Sequence, residues 1–141
     1  MEYTKEDFLD DLKLRNKFIK IVYGENLVRI KSKADRCQKN LLIAYSEKLE
    51  VCFMGISMRT YCKAQEEKRA GYDFMLILID AYNDNMYYCS SSAAEKMLTQ
   101  CSKTEERMDF RFNQADISDK LGGFMINTND AVRLNDFLNS L

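Results

Sequence analysis

Residues 74 to 79 read FMLILI, six apolar side chains in succession, closed by Asp80. A membrane-spanning helix needs about 20 apolar residues, so this run is not one. It has the length of a strand and is apolar at odd and even positions alike. Such a strand is buried on both faces. The chain must therefore supply a covering layer on each side of a sheet, and 141 residues suffice for one such domain.

The rest of the chain supplies those layers. Residues 4 to 22 are predicted as a helix. Thr4 and Asp7 form a variant capping box, Phe8, Leu12, Ile19 and Val22 lie near one stripe, and Gly24 is the stop. LVRIK, residues 27 to 31, is a short strand with Val28 and Ile30 on one face and Arg29 and Lys31 on the other. The stretch NLLIAYSEKLEVCFMGIS, residues 40 to 57, reads as two strands joined by the polar turn Ser46-Glu47-Lys48, a hairpin at the centre of the sheet.

Met58 to Ala70 is rich in helix formers and is followed by Gly71. A helix placed between two strands permits a parallel crossover. Asn83-Asp84-Asn85 is turn chemistry, and Met86 to Cys89 is a pairing strand. Ser92 with Glu95 is a capping box that opens a helix through Cys101, and KTEER after it is a solvated connection. MDFRF, residues 108 to 112, alternates as a strand. Gly122-Gly123 is a turn before a short strand at 124 to 126. A final helix from about Asn129 has Val132, Leu134, Phe137 and Leu138 on its buried face. The expected architecture is a single α/β or α+β domain over residues 1 to 141, with a central mixed sheet, a hairpin and flanking helices.

Composition narrows the chemistry. Histidine is absent, which removes Ser-His and Cys-His nucleophiles and the usual zinc hydrolase sites. The net charge of -1 is not the basic balance of a dedicated nucleic-acid binder. Arg15, Lys17 and Lys20 with Arg29, Lys31 and Lys33 form a basic cluster, but interspersed acids make it read as ordinary solvated surface. Five cysteines, at 37, 52, 62, 89 and 101, include no CxxC pair. The acidic, polar opening MEYTKEDF is no secretory signal, so the thiols are expected to be reduced in the cytoplasm.

The segment from 40 to 57 raises a sharper question, because Glu50 sits among core-like residues. One reading places its carboxylate on a wet strand face. The other is a metal site. The order hairpin, helix, buried strand, short strand over residues 27 to 90 resembles the core of the restriction-endonuclease-like PD-(D/E)xK nucleases. In that family an Asp precedes the first strand, and an acid and a Lys stand two apart on the second. The resemblance implies a degenerate site here, with Asn40 at the Asp position, Glu50 as the retained acid and Cys52 at the Lys position. Mg²⁺, which takes oxygen ligands, would be held through Glu50.

Asp80 is a second candidate metal ligand, because α/β folds place ligands at the carboxyl ends of buried strands; a turn-initiating Asp before Tyr82-Asn83-Asp84 is the stronger reading. Glu66 and Lys68 sit in a helix, where two residues two apart diverge.

Two functions are expected from these features. The first is a small cytoplasmic non-catalytic interaction protein, an adaptor, inhibitor or assembly subunit, with a protein partner and no cofactor or membrane. The alternative is a nuclease-like domain that binds nucleic acid, with Mg²⁺ as its cofactor.

Overall fold

A computed structural model describes residues 2–32, 37–46, 54–100, 102–104, 109–112 and 125–141. The helices are α1 (Lys5–Leu14), α2 (Met58–Arg69), α3 (Ser91–Gln100) and α4 (Ala131–Ser140). The strands are β1 (Phe18–Tyr23), β2 (Leu27–Lys31), β3 (Gln38–Ser46), β4 (Met54–Ser57), β5 (Phe74–Asp80), β6 (Asn85–Ser90), β7 (Ser102–Thr104), β8 (Asp109–Phe112) and β9 (Met125–Asn127). Six strands form a mixed sheet in the order β1-β2-β3-β5-β6-β9, and β4-β8-β7 form a second, three-stranded sheet. The fold is α+β.

The doubly apolar strand β5 lies inside the six-stranded sheet, between β3 and β6. It runs parallel to β3 in the register Asn40↔Phe74 to Ser46↔Asp80, and antiparallel to β6. The β3-to-β5 connection contains α2, which is the expected parallel crossover. Alternate residues of β5 enter two different cores. Phe74, Leu76 and Leu78 pack with Ala64 of α2 and Ala94, Met97 and Leu98 of α3. Ile77 and Ile79 pack with Phe8 and Leu12 of α1 and Leu134, Phe137 and Leu138 of α4. Each such buried aliphatic or aromatic side chain contributes about 1.5–3 kcal/mol of transfer free energy.

The predicted helix over 4–22 is half helix and half strand. Its start is as expected: the Asp7 N–H donates to Thr4 Oγ1 at 3.1 Å and the Thr4 N–H donates to Asp7 Oδ2 at 2.9 Å. Its end comes at Leu14, followed by Asn16 at φ 57°. FIKIVY then forms β1, as β-branched and aromatic residues favour a pleated surface. Gly24, at φ 55°, belongs to the turn between β1 and β2 and caps no helix.

The expected hairpin over 40–57 is also different. The described part of its second strand, β4, pairs with β8 in the small sheet, whereas β3 pairs with β2 and β5. A β3 flanked on both sides has no edge left for β4. The α3 cap lies two residues earlier than Ser92: the Ser90 Oγ accepts the Ala93 N–H at 3.3 Å. Lys103 and Thr104, expected in a connection, lie in β7. Cys101 and Gly122-Gly123 lie outside the described residues. Val132, expected in the core, is 72% exposed.

Candidate functional site

The sequence-derived candidates are Asn40, Glu50, Cys52 and Asp80. Glu50 and Cys52 lie outside the described residues. Asn40 and Asp80 stand at opposite ends of the parallel pair, because Asn40 is opposite Phe74 and Ser46 is opposite Asp80. Six residue steps along the strand separate those two rungs, about 20 Å. Asn40 and Asp80 therefore do not converge on one ion.

Asn40 is fully buried on the sheet face that α2 covers. Its Oδ1 accepts from Arg29 Nε at 3.2 Å. Arg29 Nη2 reaches Glu67 Oε2 of α2 at 2.5 Å, and the Tyr72 ring lies 3.7 Å from the guanidinium carbon. Arg29 is thus a buried cation matched by one carboxylate and one aromatic face. The side chain at the degenerate Asp position of the motif thus meets a guanidinium. Asn40 Nδ2 is buried without a hydrogen-bond partner among the described residues. The neighbouring Lys39 is held below the usual lysine range by burial and by Lys17, with Asp73 opposing.

One expectation about these side chains is corrected. Arg29 belongs to the core and not to a solvated basic cluster. Lys17 donates to the Asn139 and Leu141 carbonyls and Arg15 to Asn135 and Asn139, while Lys20 and Lys31 are exposed. Lys33 lies outside the described residues. The Glu66-Glu67-Lys68 stretch does diverge as expected, yet Glu67 binds Arg29 and Lys68 binds Glu95 at 2.8 Å across to α3. Lys68, with Gln65, holds the Glu95 carboxyl below its ordinary range.

Asp80 does turn chemistry. Its Oδ1 accepts the Asn83 N–H at 3.2 Å and its Oδ2 accepts Asn83 Nδ2 at 2.8 Å. Both carboxylate oxygens are therefore engaged in closing the β5–β6 turn, where Asp84 takes φ 55°. Among the described residues no three Cys, Asp or Glu side chains are grouped as a metal centre would require. Of the two expected Mg²⁺ ligands only Asp80 is among the described residues, and its oxygens are directed to Asn83.

The structure draws attention elsewhere, to the β1 margin of the large sheet. β1 is the terminal strand, and among the described residues nothing pairs with its outer edge. It carries Ile21 at 57% and Tyr23 at 37% exposure, and Leu14, at the end of α1 leading into it, is 79% exposed. Two register shifts interrupt its pairing with β2. Sequence reasoning missed this surface because it assigned residues 18–22 to a helix. The signal that would have found it is the β-forming run FIKIVY.

No helix among the described residues is long and apolar enough to cross a membrane. No protein-family model, curated protein or solved structure matches this chain.

Proposed function

We propose that this protein is a non-catalytic interaction module that receives an extended segment of a partner protein along the outer edge of β1. The observation that carries this reading is the open edge of β1 among the described residues, with Ile21 and Tyr23 exposed on it. An unpaired strand edge offers a row of N–H and C=O groups to an incoming strand, and alternate side chains set specificity. Exposed Lys20 on β1 and Lys31 on β2 favour a segment in which acidic residues alternate with apolar ones. The two register shifts twist the edge, which limits indiscriminate pairing. Cys37, Cys62 and Cys89 are free thiols, in keeping with a reducing, cytoplasmic setting.

The test is selection from a random peptide library on the immobilised protein. Enriched peptides should alternate apolar and acidic residues. Ile21→Asp should keep the fold and weaken their binding by about tenfold or more, equivalent to about 1.4 kcal/mol. Binding indifferent to Ile21→Asp would sink the reading.

The nuclease-like alternative draws on the order α1, β1 to β3, α2, β5, with its parallel crossover. Incubation with Mg²⁺ or Mn²⁺ and mixed DNA and RNA addresses it. Cleavage that disappears in Glu50→Ala would establish the alternative and displace the interaction module.

A further inference from the structure

A groove runs between α1 and α4, on a surface other than the β1 edge. One compartment, of about 510 Å³, is lined by Asp11, Arg15, Thr128, Val132, Leu134 and Leu138 among others. A second, of about 330 Å³, shares Asp11 and Thr128 and adds Glu2, Tyr3, Asp7 and Asp10. The two compartments differ in chemistry. The first has an apolar floor of Leu134 and Leu138, with Val132 standing 72% exposed above it. The second has four carboxylates and no basic side chain in its lining.

Part of this lining already has a task. Asp7 caps α1, and Asp11 accepts from the Tyr3 hydroxyl at 2.5 Å. Arg15 donates to the Asp11 carbonyl, Asn135 and Asn139, and so ties α1 to α4. Glu2 and Asp10 have no ion-pair or hydrogen-bond partner among the described residues. Thr128 lines both compartments, and its Oγ1 is buried without a hydrogen-bond partner among those residues.

We propose that this groove receives a basic amphipathic segment of a partner protein. An aliphatic side chain of that segment rests on Val132 over the Leu134 and Leu138 floor. A Lys or Arg beside it enters between Glu2 and Asp10, with Asp7 and Asp11 behind. Charge complementarity selects the basic partner, and the apolar compartment selects a peptide over a simple polyamine, which has nothing to place on Val132.

The test is an NMR titration of amide resonances with three probes: a peptide with Leu and Lys at helical spacing, its Leu and Glu counterpart, and spermine. The Leu-Lys peptide should bind saturably, shift the signals of Thr128 and Val132, and bind at least about tenfold more tightly than the other two. Reversing two exposed charges, in Glu2→Lys with Asp10→Lys, should weaken it about tenfold. Val132→Ser should weaken it about threefold. Ile21→Asp should leave it unchanged, which separates this groove from strand addition at β1.

Equal binding of the Leu-Glu peptide or of spermine overturns the proposal. So does binding that survives the charge reversal, or that is lost in Ile21→Asp. Should the double reversal fail to fold, the wild-type protein decides: the Thr128 and Val132 shifts must vanish in high salt, and shifts confined to β1 overturn the proposal.

Discussion

The Nε of Arg29 donates to the side-chain oxygen of Asn40 across 3.2 Å, and both residues are buried. Glu67 and the Tyr72 ring complete the surroundings of the guanidinium. This joins β2, β3 and α2 through one charged group. Removing one member of a buried pair strands the other. Arg29→Ala should therefore destabilise the fold by about 2–4 kcal/mol, and Arg29→Met combined with Glu67→Gln by clearly less. Urea denaturation of the two variants checks this. Equal losses would show that the charge pairing carries no weight.

Asp80 should behave as a turn residue. Asp80→Ala removes both acceptors of Asn83 and is expected to cost about 1–2 kcal/mol. Mg²⁺ should leave the melting temperature of the wild type and of this variant unchanged. A rise with Mg²⁺ confined to the wild type would make Asp80 a ligand.

The described cysteines should divide by accessibility. Cys37 and Cys62 are exposed, and Cys89 is buried. Burial pushes the Cys89 thiol up to about 12 from the usual 9.0. Iodoacetamide on the native protein should label Cys37 and Cys62 and spare Cys89 until denaturant is added. The same shift has a pH sign. The folded pKa lies above the unfolded one, so its contribution to stability is complete below pH 9.0 and is lost as pH rises toward 12. Native labelling of Cys89 at neutral pH would contradict both statements.

Ile77 and Val132 form a contrasting pair. Ile77→Ala deletes fully buried methyl groups between β5 and the α1–α4 layer and should cost about 2–5 kcal/mol. Val132→Ala, on the exposed side of α4, should stay within about 0.5 kcal/mol. Thermal or urea melts of both variants measure the difference. A large loss at Val132 would place it in the core after all.

Much of the fold was legible because its signals are local. The apolar run of β5 announced burial on both faces, and Thr4 with Asp7 announced the start of α1. Gly71 similarly marked the end of α2, where it takes φ 104°. The β1 strand was misread because Phe8, Leu12, Ile19 and Val22 mimic a helical stripe. Asn16, which turns the chain, gives only a weak warning at the level of sequence. Val132 was misread because a helical stripe marks a face without saying how far the neighbouring layer extends.

The candidate site was less legible, for a different reason. Motif spacing placed Asn40 beside Glu50, and its place at the end of a buried strand made Asp80 a ligand candidate, but neither signal records which strands become neighbours. Arg29 meets Asn40 because β2 and β3 pair antiparallel with those two residues in register. Glu67 reaches them because the crossover lays α2 over that face.

By itself, then, the sequence determined a sheet buried on both sides, its parallel crossover and most helix starts, since these follow from apolar periodicity and capping within a few residues. Only the tertiary structure decided that β4 joins a separate sheet, that Arg29 is a core residue, and that β1 is the terminal strand of the large sheet with Ile21 and Tyr23 exposed. Those outcomes depend on which distant segments meet, and on the desolvation and pairing of charge that follow when they do.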